Sequence, residues 1–135
     1  MRSILFIFVL LGFGGCLDTE ASFARQLFKA IQEQNVDRLE SFMLPADAQI
    51  KIQSWPDNNE SRKWVKEYRK EVATVLRKQS EERLLNDAEY LGYSLTGDGI
   101  SRNLYLKYQT ASNIDSIMVR IFKREHQHYL MIPDE

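Results

Sequence analysis

Cysteine occurs once in the 135 residues and histidine twice, and neither sign of charge prevails: 18 Lys+Arg stand against 19 Asp+Glu, a net of −1. One thiol excludes an intrachain disulfide framework and a cysteine-rich zinc site. Two histidines cannot close a four-ligand structural zinc centre by themselves. The charge balance carries no electrostatic footprint for nucleic acid, and 27% charged with 44% hydrophobic residues is not the composition of a disordered chain. No apolar run reaches the ~20 residues that a membrane-crossing helix needs. Also absent are a Gly-rich phosphate loop before a helix, a Gly-x-Ser-x-Gly elbow and a His-Glu-x-x-His pair. What is present is a chain of one-domain length, able to bury an ordinary core.

Its first residues have a different character from the rest. After Met1-Arg2-Ser3, Ile4 to Leu11 is unbroken apolar, and Gly12-Phe13-Gly14-Gly15-Cys16 follows. A positive charge, a short apolar run and small residues at its end form the pattern of an export signal. The stop at Gly14-Gly15-Cys16 resembles the lipobox of bacterial lipoproteins, with Phe13 standing where leucine is commonest. The resemblance covers only these 16 residues. It implies a signal peptide at 1–15, diacylglycerol on Cys16, and a mature chain 16–135 tethered to a bacterial membrane by palmitate-type acyl chains. Ordinary secretion and a retained anchor are the alternatives. More than one acyl chain on one residue anchors stably, whereas a single chain is marginal. Leu17 after the cysteine, in place of Asp, implies the outer membrane by resemblance to enterobacterial sorting.

The mature chain reads as one α+β unit. Asp18 or Thr19 can cap a first helix whose stripe is Phe23, Leu27, Ala30 and Ile31, ending near Asn35. A short helix follows from Val36 to Met43, closed by Pro45. Ile50 and Ile52 alternate with Lys51 and Gln53, so Gln49 to Trp55 reads as a short strand or extended loop. Asp57-Asn58-Asn59-Glu60 resembles a capping box with Asp57 as the cap. The long helix it opens carries Trp64, Val65, Tyr68, Val72, Val75 and Leu76 as a core stripe and ends near Ser80. Period 2 then takes over. Leu91, Tyr93 and Leu95 share one face; so do Leu104, Leu106 and Tyr108, then Ile117, Val119 and Ile121, and Tyr129 to Ile132 makes a final run. Turn residues at Thr96–Gly99, Ala111–Asn113 and Arg124–Gln127 join these into an antiparallel meander of four strands. Helices first and strands last, without βαβ alternation, define the α+β class.

The short helices around Asn35-Val36-Asp37-Arg38-Leu39-Glu40-Ser41-Phe42, the long helix and the meander through Ile117–Lys123 together resemble the NTF2-like, cystatin-like family. The resemblance implies helices packed on a curved antiparallel sheet of about four strands. That family holds both enzymes and binding or assembly domains, so fold alone does not settle function.

Three sets of residues could carry chemistry. His126 and His128, with Glu125 beside them, could offer two metal ligands from one strand face, or simply lie in an exposed hairpin. Tyr90, Tyr93, Tyr105 and Tyr108 could line a cavity, but an isomerase of the ketosteroid type needs a carboxylate facing a phenol. No motif pairs Asp87, Glu89 or Asp115 with a tyrosine, and strand aromatics commonly pack across strands. On the long helix Arg62, Lys63, Lys66, Arg69, Lys70 and Arg77 share one flank. That strip is a solvated face, or it meets anionic lipid headgroups or an acidic partner.

These readings describe an exported, lipid-anchored protein of the cell envelope with a non-catalytic domain for a partner protein or a small apolar ligand. They assign no catalytic residue, metal, cofactor or nucleic acid. The alternative is an NTF2-like isomerase or cyclase-type enzyme with a cavity in the sheet. A secreted inhibitor of cystatin-like shape is a third reading, without an inhibitory motif.

Overall fold

The computed structural model describes residues 19–131. The leader, Cys16, the cap candidate Asp18 and Ile132 lie outside the described residues. Four helices precede four strands: α1 (Thr19–Gln32), α2 (Val36–Ser41), α3 (Ala46–Ile52) and α4 (Asn59–Glu82). A 3-10 turn (Leu85–Asp87) leads to β1 (Glu89–Thr96), β2 (Ser101–Gln109), β3 (Ile114–Arg124) and β4 (Gln127–Leu130). The strands form an antiparallel meander in the order β1-β2-β3-β4, and the N-terminal helices pack against it. The domain is α+β.

α1 is the centre of the core. Ala24, Leu27, Phe28 and Ile31 recur at helical spacing and are buried, and Ala30 is buried beside them. One side of α1 lies on β1, β2 and β4, and another meets α2 and α4. Two alanines keep those approaches close. Leu104, Leu106 and Tyr108 of β2 and Ile117, Val119 and Ile121 of β3 supply the sheet's inward face, as their alternation requires. On the outward face Phe122 stacks on Tyr129, with ring centroids 5.5 Å apart, while Met118 is exposed.

α4 packs on α1, α2, α3 and the 3-10 turn and so forms the outer helical layer. Its buried residues are Ser61, Val65, Ala73, Leu76 and Ser80. That face is rotated roughly 60° from the stripe that hydropathy alone picks out, at about 100° per residue. Small side chains explain the rotation, because Ser61, Ala73 and Ser80 let the helix backbones approach. Trp64 and Val75 are left 47% exposed, whereas Tyr68 and Val72 pack at the margin of the core.

Four local expectations are corrected. The segment read as extended is helix α3, because Ala46, Gln49 and Ile50 at i, i+3 and i+4 turn inward, and this spacing outweighs the Ile50/Ile52 alternation. Asn58, not Asp57, caps α4: its side chain accepts from the Ser61 amide at 2.8 Å, while Asp57 is drawn to Arg62 at 2.7 Å. α2 stops at Ser41, two residues short of Met43, and Asn35 caps it by accepting from the Arg38 amide. In β1 the register slips between Tyr90 and Gly92, where Gly92 has φ +135°. This bulge changes the phase of the strand, so Tyr90, Tyr93 and Leu95 pack on the core while Leu91 is exposed.

Two contacts tie the layers. The Gln32 amide nitrogen Nε2 donates to the carbonyls of Leu85 at 2.9 Å and Ala88 at 2.8 Å, fixing the entry to β1. The Leu130 amide on the outer side of β4 donates to the Phe42 carbonyl at 2.8 Å, which joins the sheet to the α2–α3 corner.

Candidate functional site

The basic flank of α4 divides by residue type. Arg62 donates from Nε to Asp47 at 3.0 Å and pairs through Nη2 with Asp57 at 2.7 Å. The bond from Asp47, helped by the charge of Asp57, raises its pKa above the ordinary arginine value. Arg69 donates from Nη2 to the Glu40 carbonyl at 2.8 Å, satisfying an end group of α2. Arg77 pairs with Glu81 at 3.8 Å, one turn on. Lys66 and Lys70 are exposed. The arginines thus act within the domain, and the lysines make up its open charge.

The two histidines do not share a strand face. His126 sits in the β3–β4 turn with φ 69° and is exposed. The His128 side chain is only 6% exposed, with its ring 5.7 Å from that of Phe23 and Nε2 3.9 Å from Glu20. Burial lowers its pKa below the usual histidine value, against the opposing charge of Glu20. Among the described residues no group of three His, Cys, Asp or Glu stands close enough to hold a metal.

The tyrosines have different surroundings. Tyr90 packs 5.1 Å from Phe28 with its hydroxyl buried and without a hydrogen-bond partner among the described residues, and burial raises its pKa. Tyr105 faces Met118 across the ladder. Tyr108 is 2% exposed and lies opposite Asp115, so the structure does bring one carboxylate beside one phenol. Arg83, the C-cap of α4, stands between them. Its Nη1 donates to the Tyr108 hydroxyl at 3.2 Å and to the Ser116 carbonyl at 2.9 Å, and lies 3.7 Å from the Asp115 carboxylate.

These residues border a cleft of about 450 Å³ between the end of α4 and the β2–β3 turn, rimmed by Leu84, Asp87 and Thr110. Leu84 has φ 56° and is 70% exposed, a bulky apolar side chain at a left-handed helix terminus that usually takes glycine. Among the described residues the side-chain contacts of Arg83 run through Nη1, and a guanidinium carries five N–H donors. The cleft thus brings a guanidinium beside an exposed leucine and the acidic residues Asp87 and Asp115. The arrangement suits recognition. Catalysis on the ketosteroid pattern would need a phenol open to substrate, whereas Tyr108 is buried and bonded to Arg83.

Sequence reasoning names Tyr108, Asp87 and Asp115 but misses Arg83 and Leu84. Arg83 meets its partners across 25 and 33 residues of chain, a separation that no local motif encodes. No family model, curated protein or solved structure matches the chain.

Proposed function

We propose that the chain is an exported bacterial lipoprotein, acylated on Cys16, whose small α+β domain binds a partner or ligand at the envelope without catalysing a reaction. The observation that carries this reading is the position of the lone cysteine. It follows small residues at the end of an apolar leader and precedes helix α1 at Thr19 by only Leu17 and Asp18. Among the described residues the first fully buried one is Ala24, in the second turn of α1. A folded domain beginning immediately after the acylated residue needs no spacer to be held at a membrane. The α+β order, with a helix laid across a four-stranded meander, supports an NTF2-like or cystatin-like domain within the same reading.

The cleft around Arg83 is the binding site that the geometry favours. Metabolic labelling with a palmitate analogue should mark the wild type and leave Cys16→Ala unmarked; equal labelling would refute the anchor. For the cleft, Arg83→Glu should abolish whatever co-purifies with the membrane-bound wild type while leaving labelling intact. Retention of the same partners would move the binding site elsewhere.

A further inference from the structure

The short connection between Cys16 and Thr19 determines which end of the domain lies nearest a membrane. Three Cα-to-Cα steps span at most about 11 Å whatever their conformation. An acylated Cys16 therefore cannot lie far from the start of α1. At that end Glu20 stands 3.6 Å from Arg102 of β2 and 3.9 Å from His128 of β4. Both of the hairpin connections that follow Thr96 and Arg124 emerge there, and the Lys123 amide donates to the Ile100 carbonyl at 3.2 Å to join them. Ile100, in the β1–β2 connection, is 71% exposed, more than any other isoleucine among the described residues.

We infer that this rim is a phospholipid-binding surface, with Ile100 inserted at the headgroup–acyl boundary and Lys123 and Arg124 against lipid phosphates. The inference rests on acylation of Cys16. The rim's cations, Arg102, Arg120, Lys123 and Arg124, stand against Glu20, Asp98 and Glu125, so net charge is too small to hold the domain by itself. An apolar side chain at a loop tip supplies the other part, because burying it at the interface removes area from water. Arg102 is engaged with Glu20, and Arg120 donates to the Ser101 hydroxyl at 2.7 Å. Lys123 and Arg124 are the cations left to meet phosphate.

The Arg83 cleft is at the other end of the molecule. α1 runs from Glu20 at the rim to Gln32 at the entry to β1, and its 14 residues span about 21 Å. A domain seated on the Ile100 rim turns the cleft away from the bilayer, toward a soluble partner.

The full acylated chain, reconstituted in phosphatidylethanolamine/phosphatidylglycerol vesicles with brominated acyl chains, tests this. Two variants carry a new fluorophore: Ile100→Trp at the rim and Ser112→Trp in the β2–β3 turn. Relative to the wild-type background of Trp55 and Trp64, emission added at position 100 should be quenched about twofold or more, and that at position 112 should not. Adding Lys123→Glu and Arg124→Glu to the first variant should weaken the quenching. Equal quenching at the two positions, or none at position 100, overturns the orientation; quenching unchanged by the charge reversals overturns the phosphate contacts. Palmitate-analogue labelling of the same preparations separates the two claims. Labelled but unquenched protein refutes the orientation alone, and unlabelled protein refutes the anchor and the orientation together.

Discussion

The β3–β4 turn offers a direct measurement of backbone strain. Arg124 pairs with Gln127, so only Glu125 and His126 cross between the strands, and both have positive φ, 52° and 69°. A two-residue connection with this geometry is a type I′ turn, which matches the twist of the strands but favours Asn-Gly. The left-handed conformation costs an ordinary L-residue roughly 1–2 kcal/mol. Glycine recovers that cost but loses about 0.5–1 kcal/mol to the entropy of the unfolded chain. Asn at position 125 recovers part of the strain without that loss. Replacing Glu125-His126 by Asn-Gly should thus stabilise the domain by about 1–2 kcal/mol, or roughly 4–8 °C in Tm for a domain of this size. Thermal unfolding by circular dichroism measures the shift, and urea titration should show a higher midpoint with an unchanged slope. Glu125→Ala with His126→Ala is the control, because it removes the side chains and keeps the strain. If Asn-Gly is no more stable than wild type, or if Ala-Ala gains as much, strain at this turn is not the quantity being relieved.

Other perturbations follow from individual contacts. Asn58→Ala removes the cap of α4 and should cost about 1 kcal/mol in urea unfolding, whereas Asp57→Ala should cost less, since Asp57 makes an exposed ion pair. Gln32→Leu removes the donor to the Ala88 carbonyl, while the Leu85 carbonyl keeps its bond from the Ala88 amide, and should cost about 1–2 kcal/mol by the same assay. His128 has a lowered folded pKa, so its contribution is present above the unfolded value of 6.5 and is lost as pH falls through the folded value. The Tm of the wild type should therefore drop more steeply than that of His128→Gln from pH 7 toward pH 5; parallel curves would refute this linkage.

Much of the sheet was legible because its signal is local. Leu104, Leu106 and Tyr108, and again Ile117, Val119 and Ile121, alternate over consecutive positions, and burial on one face follows directly. β1 broke the rule because one extra residue, Leu91, changes the phase, and hydropathy does not reveal a bulge. On α4 the pattern of large apolar residues pointed to Trp64 and Val75, but close helix packing selects small residues, which hydropathy ranks low. The cleft was the least legible feature. Tyr108 and Asp115 were visible as residue types, but Arg83 reads from sequence as one more charge at a helix end. Its role depends on the meander bringing β2 and β3 beside it.

The contact between Leu130 and Phe42 makes the two borders of the sheet unequal. On β4 an outward amide is already satisfied by the α2–α3 corner, so a further strand could not continue the ladder there without displacing it. β1 is the other border of the described sheet, and its ladder is interrupted after Tyr90 by the bulge. Were the chain anchored by lipid on Cys16, as proposed, its copies would be confined to two dimensions and would meet far more often than in solution. Under that confinement, one plugged border and one irregular border would keep neighbouring domains from zipping into a continuous sheet.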